Sequence, residues 1–443
     1  MEFLTGVREK ETVEIRTILE GSYVGRSVTL NGAVHNIRHM GEVAFVILRK
    51  ADGLVQCVYE KGKADLDIKE LKEESAVEVT GTVAREERAP HGFEIRLEAV
   101  KVLSAPEEVL PIAVSKYKMH TSLEARLALR PVSLRNVGER AKFKIQEGIV
   151  RGFRDFLHSQ GFTEIHTPKI VSRGAEGGSN VFRLDYFNKK AELGQSPQFY
   201  KQTMVGVYDR VFEVAPVFRA EKHNTTRHLN EYVGLDFEMG YIDGFEDVMA
   251  METGFLQYTM ELLAREYRKE LEILEVKLPD VGRIPAVRFD RAKELAAERY
   301  DRRIKNPYDL EPEEEILIGR YFKEEYDSDF VFVTHYPSRK RPFYAMDDPA
   351  DSKFTLSFDL LFRGMEVTTG GQRIHDYREL LAKMERRNMD PDDISSYLMI
   401  FKYGMPPHGG LGIGLERLTM RLLDESNVRE ASLFPRDVTR LVP

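Results

Sequence analysis

The stretch FRAEKHNTTRHLNEYVGLDFEMG, from Phe218 to Gly240, places a charged segment between two apolar ends that resemble β-strands. Its basic or potentially basic side chains lie beside four acids, and they are Arg219, Lys222, His223, Arg227 and His228. Two strands joined by a loop over residues 221–229 predict an antiparallel pair whose loop carries cations. Because guanidinium groups bind phosphates through paired hydrogen bonds, the stretch predicts a site for a polyanion.

The composition is typical of a globular protein with more than one domain. At 443 residues, with 42% apolar and 31% charged residues, the chain can hold two or three domains and a large core. The net charge of −8 argues against a protein that coats nucleic acid along its whole surface. A local basic groove remains compatible with that charge.

The residue content also predicts a cytoplasmic location. Cys57 is the only cysteine, so an internal disulfide is excluded and a reducing compartment is the default. The first residues carry charges where a signal peptide has an apolar run, and no stretch approaches the roughly 18 apolar residues of a membrane span. We therefore expect no membrane association.

The first hundred residues predict a small β-barrel. β-Branched residues are frequent along five segments, at 27–37, 43–50, 53–60, 75–84 and 92–103. A helix-like insert at 64–75 separates the third segment from the fourth, which is the order of an all-β OB-fold, with another small β-barrel as the alternative. We assign 1–105 to this domain, the proline-containing stretch 106–138 to a linker, and 139–443 to a second domain.

The second domain is predicted to mix helices and strands. We expect helices at 140–162, 245–270 and 307–326, a strand at 163–170, further strands at 328–370, and a glycine-rich strand followed by a helix at 408–424. Pro168 excludes the strand at 163–170 from the centre of a sheet. The late glycines do not form GxGxxG, because residue 415 is Leu, and GxxxxGK[ST] does not occur.

Three motifs in this order resemble those of class II aminoacyl-tRNA synthetases: GFTEIHTPKI (161–170), FRAEKHNTTRHLNE (218–231) and GMPPHGGLGIGLER (404–417). Together with QSPQFYKQ (195–202), they are similar to aspartyl-tRNA synthetases of the short archaeal type, over nearly the whole chain. The resemblance implies an OB-fold before an α+β catalytic domain with an antiparallel sheet. It also implies a homodimer that activates L-aspartate with ATP and charges tRNA(Asp).

The resemblance assigns the ATP site to the hairpin and the last helix. Arg219 would bind the α-phosphate, Glu221 the adenine amino group, and Arg417, after Gly414, the γ-phosphate and one adenine face. These three charged residues are the expected catalytic ones, and Tyr232 either stacks on adenine or packs in the core.

The remaining cations of the hairpin loop have separate expectations. His223, with Arg227 or His228, would meet the outer phosphates. For Lys222 we expect a solvated charge with no role in the site.

Two acids in SFDLLFRGMEVTTGG, Asp359 and Glu366, predict a Mg²⁺ site, because Mg²⁺ takes one or two carboxylates and completes its shell with nucleotide phosphates. The resemblance adds the hydroxyl of Thr369 to this set and to the aspartate site. The alternative is a surface acid that pairs with Arg363.

The choice of amino acid is assigned to two cations. In the aspartyl enzymes that the chain resembles, residues matching Lys201 and Arg373 hold the substrate's side-chain carboxylate. A lysine substrate would need acids at this position instead, and neutral asparagine would leave the cations unpaired. Further aspartate-binding residues implied by the resemblance are Glu176, Ser196, Gln198 and Asp236.

The barrel would read the anticodon by stacking and by contacts to base edges. Phe45 matches the stacking aromatic of the family and Gln56 the reader of the central U, with core packing as the alternative for Phe45. Relatives with His and Pro at the positions of His35 and Pro90 also tend to charge tRNA(Asn). We therefore expect relaxed tRNA specificity, which implies an amidotransferase that converts Asp-tRNA(Asn).

Two other functions are compatible with parts of this pattern. Lys201 and Arg373 argue against an asparaginyl-tRNA synthetase. A non-catalytic paralogue with a regulatory RNA-binding role is disfavoured because Arg219, Asp359, Glu366 and Arg417 are all present.

Overall fold

The computed structural model describes Gly6, residues 13–174 and residues 180–443. The chain divides into two compact units, Met1–Thr121 and Ser122–Pro443. Among the described residues, no helix combines the length and the apolar character needed to cross a membrane.

The first unit contains a closed five-stranded barrel that follows a short helix. Its elements are α1 (Ile15–Leu19), β1 (Ser27–Met40), β2 (Val43–Arg49), β3 (Leu54–Glu60), β4 (Ala76–Arg85) and β5 (Phe93–Ser104), with barrel order β1-β2-β3-β5-β4. Burial alternates along β4, where Val77, Val79 and Val83 point into the barrel core. The five predicted strands and the OB-fold are confirmed.

The helix predicted at 64–75 was wrong, and the stretch assigned to a linker contains two short helices. The helix expected at 64–75 is a single turn of 3₁₀ helix, Ile68–Glu70, because so short a polar segment does not offset the cost of starting an α-helix. Within the stretch expected to be an irregular linker, the second unit already begins, with two short helices, Leu123–Ala128 and Arg130–Ser133. Ser122 caps the first of them by accepting from the backbone N–H of Ala125.

An eight-stranded sheet forms the centre of the second unit. Its strands and those of a smaller sheet are β6 (Thr163–Glu164), β7 (Ile170–Val171), β8 (Arg183–Tyr186), β9 (Lys189–Leu193), β10 (Arg210–Phe218), β11 (Glu231–Gly240), β12 (Ala286–Arg288), β13 (Phe330–Thr334), β14 (Ser357–Phe362), β15 (Met365–Arg373) and β16 (His408–Gly414). The large sheet has the order β12-β13-β14-β15-β16-β11-β10-β6 and is antiparallel except for its two outermost pairs. The predicted antiparallel sheet is therefore confirmed.

The helices of this unit are α2 (Leu123–Ala128), α3 (Arg130–Ser133), α4 (Val137–Ser159), α5 (Gln198–Tyr208), α6 (Phe245–Glu266), α7 (Arg268–Ile273), α8 (Phe289–Tyr300), α9 (Pro312–Tyr326), α10 (Tyr377–Arg386), α11 (Ser395–Lys402) and α12 (Leu415–Leu422). α4 and α6 pack on one face of the sheet, where the rings of Phe153 and Phe255 meet edge to face at 5.2 Å. Leu235 and Phe237 of β11 point into this core. Asp236 and Glu238 therefore point to the opposite face, because side chains alternate along a strand.

The strand predicted at 163–170 divides into two short pieces at sheet edges. β6 pairs in parallel with β10 at the edge of the large sheet, whereas β7 joins the smaller sheet. Between them lies Pro168, which has no N–H for a ladder, and the N–H of Thr167 donates to the Glu213 carboxylate at 2.8 Å instead. The edge position is confirmed, and a single continuous strand is wrong.

Candidate active site

A cavity of about 470 Å³ lies on the face of the large sheet opposite α4 and α6. It gathers most of the residues predicted from the sequence, namely Ser196, Gln198, Lys201, Arg219, Glu221, Arg227, His228, Tyr232, Asp236, Glu366, Thr369, Arg373, Gly414 and Arg417. Lys222 and His223 are exposed and outside this lining, and Asp359 lies just behind it. Glu176 lies outside the described residues.

One end of the cavity holds two buried cations, each paired with an acid of β11. Lys201, on α5, donates from Nζ to Asp236 Oδ1 at 2.9 Å and to the carbonyl oxygen of Leu411 at 2.7 Å. Arg373 donates from Nε to Glu238 Oε1 at 2.8 Å. Both cations are at least 94% buried, so their charges act in a poorly solvated space.

Glu238 is a site residue that the sequence reasoning missed. Its side chain is fully buried, and its second oxygen lies 3.4 Å from Lys201 Nζ, so this acid contacts both cations. A signal was available, because Asp236 and Glu238 are two residues apart on a strand and must share a face. The glycine-rich strand makes room for them, since a Cβ at Gly410 would lie 2.2 Å from Glu238 Oε2.

The surroundings shift the pKa values of the two acids in opposite directions. Burial raises the pKa of Asp236 above its usual value in spite of Lys201. Burial would also raise the pKa of Glu238, but the Arg373 and Lys201 charges outweigh it and hold that pKa below its usual range. Glu238 is therefore an anion that contacts and orients both cations.

Gln198 belongs to a chain of buried polar groups behind the cations. Its Nε2 donates to Gln202 Oε1 at 3.0 Å, and the Tyr397 hydroxyl donates to the same oxygen at 3.0 Å. Burial lowers the pKa of His408 to about 4, so its ring is neutral near pH 7. His408 Nδ1 then donates to the Pro406 carbonyl at 2.9 Å, which leaves Nε2 to accept from Gln202 at 2.9 Å.

The other end of the cavity is built by the predicted hairpin. β10 and β11 pair antiparallel, and the last pair before the loop is Phe218 with Glu231. Beyond it, the N–H of Arg219 donates to the Asn230 carbonyl at 2.9 Å. The Arg219 guanidinium lies 5.7 Å from the centre of the Tyr232 ring, and its Nη1 lies 4.0 Å from Glu221 Oε1. The backbone of the hairpin thus holds a partly exposed guanidinium at the cavity mouth.

Arg227 and Arg417 are held by contacts that join distant parts of the chain. Arg227 Nη2 donates to Glu315 Oε2 at 2.7 Å, and Glu315 lies on α9, the acidic helix that the sequence analysis had not assigned to the site. Arg417 Nε donates to the Arg227 carbonyl at 3.1 Å, and its Nη1 lies 3.6 Å from Glu366 Oε1. Nothing in the local sequence pattern marked Glu315 as different from its acidic neighbours.

The two acids predicted to hold Mg²⁺ lie on neighbouring strands, and Glu366 lines the cavity whereas Asp359 does not. Asp359 and Thr369 face each other across β14 and β15, and Thr369 Oγ1 donates to Glu366 Oε1 at 3.3 Å. Burial, together with the Glu366 charge, raises the pKa of Asp359 to about 6. Arg341 Nη2 donates to Asp359 Oδ1 at 2.7 Å, so Arg341, and not Arg363, is the partner of this acid.

Two carboxylates and one hydroxyl suit Mg²⁺ only when phosphates supply the rest of its shell. Among the described residues, no group of three or more His, Cys, Asp or Glu side chains could hold a metal ion. The donor set therefore fits a nucleotide-associated Mg²⁺ rather than an ion held by protein alone.

The barrel places the four predicted anticodon residues in different surroundings. Gln56 is buried and donates from Nε2 to Glu94 Oε2 at 3.2 Å, whereas Phe45 is half-buried with the Arg38 guanidinium 5.7 Å from its ring centre. Pro90 is exposed at the start of a single helical turn. Phe45 and Pro90 thus present side-chain surface to solvent, whereas Gln56 does not.

His35 is more enclosed than a base-reading imidazole is expected to be. It is 5% exposed, and its Nδ1 lies 2.9 Å from Arg49 Nη1. Arg49 in turn forms two hydrogen bonds of 2.7 Å with the Glu74 carboxylate. An effect of His35 on RNA therefore depends on this buried pair, which the sequence analysis missed.

Comparison with known proteins identifies both units. Residues 122–438 match the family model described as tRNA synthetases class II (D, K and N), and residues 28–103 match the OB-fold nucleic acid binding domain. The chain is 48% identical to the aspartate–tRNA(Asp/Asn) ligase of Deinococcus radiodurans, over 95% of this chain and 96% of that one. It is 46% identical to the enzyme of the same name from Thermus thermophilus, over 95% and 98%.

A solved structure has the same arrangement of elements. The asparaginyl-tRNA synthetase of Pyrococcus horikoshii, in complex with asparaginyl-adenylate, superposes with a TM-score of 0.91 at 32% identity. The match covers 98% of this chain and all of that one.

Proposed function

Because the chain belongs to the class II aminoacyl-tRNA synthetases of the aspartate, lysine and asparagine group, we propose that it is an aspartate–tRNA ligase. The observation that carries the choice of aspartate is the pair of buried cations, Lys201 and Arg373, at one end of the cavity. An entering aspartate offers its side-chain carboxylate to these cations and its ammonium group to Asp236. Each charge of the substrate then meets an opposite charge in a poorly solvated site.

The first reaction joins aspartate to ATP by attack of the α-carboxylate on the α-phosphorus, with release of pyrophosphate. Arg219 stabilises the charge that grows on the α-phosphate oxygens, because its guanidinium is held at the cavity mouth. Arg227, His228 and Arg417 bind the outer phosphates, and Glu221 and Tyr232 bind adenine. Catalysis arises from positioning and charge, with no covalent enzyme intermediate.

Mg²⁺ would be held by Asp359, Glu366 and Thr369 together with ATP phosphates, and it would neutralise phosphate charge. Support for this assignment comes from the placement of the three side chains, because Thr369 lies opposite Asp359 and donates to Glu366 Oε1 at 3.3 Å. The second reaction transfers the aspartyl group from the adenylate to a hydroxyl of the terminal ribose of tRNA.

The experiment that tests this function is ATP–pyrophosphate exchange with each amino acid, followed by charging of purified tRNAs. We expect exchange with aspartate and little with asparagine, because the neutral side chain of asparagine offers no carboxylate to accept from Lys201 and Arg373. Exchange with asparagine alone would establish the rival asparaginyl enzyme. Exchange with neither amino acid would favour a non-catalytic paralogue.

The proposed tRNA specificity includes both tRNA(Asp) and tRNA(Asn), whose anticodons differ at the third base. Support comes from Pro90, an exposed residue with no N–H that could select between C and U. Charging of tRNA(Asn) implies an amidotransferase in the same cell, which converts the product to Asn-tRNA(Asn). The buried single cysteine is consistent with the proposed cytoplasmic setting.

We expect the native protein to charge the two tRNAs with comparable efficiency. Pro90→Lys should selectively reduce charging of tRNA(Asn) by about tenfold, the scale of one base contact, because a long cationic side chain at the turn confines the third base. The ratio of kcat/KM for the two tRNAs measures this. His35→Trp is a poor variant, since a buried indole would displace the Arg49–Glu74 pair.

Control measurements with Arg88→Lys, a change at an exposed residue of the same loop between β4 and β5, should give the native ratio. Charging of tRNA(Asp) alone by the native protein would contradict the relaxed specificity and leave the ligase assignment intact.

We also propose a homodimer. β6 forms the outer edge of the large sheet, and an unpaired edge favours contact with a second chain. Half-exposed Ile170 on β7 adds apolar surface near that edge. Sedimentation equilibrium measures the assembly, and an active monomer would contradict this proposal.

A further inference from the structure

A second cavity of about 690 Å³ adjoins the proposed adenylate site, and the catalytic steps above do not use it. Arg339, Asp347, Lys383, Arg386, Arg387 and two serines line it, and we call it the basic cavity. Arg339 and Arg387 also line the active-site cavity, so the two cavities share a wall.

The basic cavity carries four cations against one acid. Asp347 accepts from Lys383 Nζ at 2.6 Å, and Arg386 Nη2 lies 3.5 Å from its other oxygen. Arg387 instead donates to the backbone carbonyls of Arg341 and Ser338, at 2.7 and 2.6 Å. One carboxylate cannot balance these charges, so the lining has a net charge of about +3, in a chain whose total is −8.

The charge imbalance also affects protonation. Burial lowers the pKa of Lys383 and of Arg387 below their ordinary values in spite of Asp347. Lys142 shows the opposite shift: it is also buried, but three surrounding glutamates raise its pKa above the ordinary value. Lys142 thus lies in a completed ion network, whereas the basic cavity would gain from an added anion.

Stabilisation of a helix end does not explain this cluster. Lys383 and Arg386 do lie in the last turn of α10, where cations complement the helix dipole. However, Arg339 comes from a different segment, and Arg387 bonds to carbonyls of the 338–341 loop rather than to those of α10. Two separate chain segments therefore direct cations into one cavity.

On the basis of the proposed function, we infer that the basic cavity binds phosphate groups of the 3′-terminal strand of tRNA and guides its last ribose to the adenylate. The terminal ribose must enter the active-site cavity, and the phosphates preceding it must lie in a space continuous with that cavity. Arg386 suits such a contact, because 61% of its side chain is exposed. The neighbouring Lys383 and Arg387 are held by hydrogen bonds to Asp347 and to backbone carbonyls. Pyrophosphate released from ATP is the other source of this chemistry, and the experiment separates the two.

The test compares Arg386→Gln and Arg386→Glu with Arg378→Gln and Arg378→Glu. Arg386 lines only the basic cavity, and Arg378 is an exposed residue in the first turn of the same helix. For Arg386→Gln we expect kcat/KM for tRNA to fall about tenfold, and further for Arg386→Glu. The salt dependence should lose about one unit of slope, while ATP–pyrophosphate exchange stays within about twofold of native.

A second assay uses fluorescence anisotropy to measure the binding of tRNA that lacks its last three nucleotides. It shows whether the Arg386 changes act through the 3′ end. The Arg386 variants should bind this truncated tRNA as the native protein does. An equal loss with truncated tRNA would overturn the inference, as would Arg386 variants that behave like the Arg378 variants. A raised KM for pyrophosphate with unchanged kcat/KM for tRNA would also overturn it, in favour of a pyrophosphate site.

The outcome is distinguishable from failure of the proposed function. Native protein that exchanges pyrophosphate with neither amino acid would refute the ligase, whereas tRNA binding to native and Arg386 variants can still be compared.

Discussion

Arg219→Ala is expected to lower the rate of aspartyl-adenylate formation by about 10²–10³-fold, the scale for removing one preorganised donor of charge stabilisation. The guanidinium is positioned before ATP binds, because the backbone N–H of Arg219 is fixed by Asn230 and the side chain lies beside Tyr232. Alanine keeps the backbone hydrogen bond, so the hairpin should persist. ATP–pyrophosphate exchange with aspartate measures the loss.

Lys222→Ala is the matched control, because Lys222 is an exposed cation on the same loop outside the cavity lining. It should retain native exchange. Thermal unfolding of both variants should occur near the native temperature. If Arg219→Ala keeps exchange within a few-fold of native, the assignment of the hairpin to ATP is wrong.

Lys201→Met is expected to reduce kcat/KM for aspartate by roughly 10²–10³-fold and to remove most of the preference over asparagine. Lys201 lies between Asp236 and Glu238, so its loss leaves two buried acids with Arg373 as their remaining cation. The substrate carboxylate then meets a site with excess negative charge, whereas neutral asparagine loses less. Exchange assays with both amino acids measure the selectivity.

A change that removes a buried lysine also destabilises the fold, so a control for burial is needed. Lys293→Met serves, because Lys293 is 4% exposed and pairs with Glu314 on α9, away from the cavity. Both variants should lose stability to chemical denaturation by several kcal/mol, as expected for a broken buried pair. An unchanged preference for aspartate in Lys201→Met would remove Lys201 from the amino acid pocket.

The elements that the sequence predicted well depend on residues close together in the chain. Frequent β-branched residues predicted the five barrel strands, and β4 shows the alternating burial of a strand with one face in the core. Gly161, with a φ of +78°, ends α4 as a glycine after a helix usually does. The helix at 64–75 was wrong because so short a segment does not offset the cost of starting an α-helix, although its apolar residues still pack against the barrel core.

The sequence predicted most of the residues that line the site, but it did not predict which acid pairs with which cation. Resemblance pointed to Lys201, Arg219, Arg373 and Arg417, all of which line one cavity. Glu238, which pairs with Arg373, and Glu315, which pairs with Arg227, were not predicted, because each becomes a partner only through a residue far away in the chain. The role of Gly410 was not predicted either: its missing Cβ accommodates the Glu238 carboxylate.

The sequence by itself determined the order of elements, the hairpin of cations and the family, because strand periodicity, turn residues and motifs act over a few neighbouring positions. Only the tertiary structure decided which charges are paired. Arg373 reaches Glu238 across 135 positions, and Arg227 reaches Glu315 across 88. These contacts depend on the register of β11, β15 and β16 and on the packing of α9, and the energy of a buried ion depends on its nearest partner rather than on its own residue type.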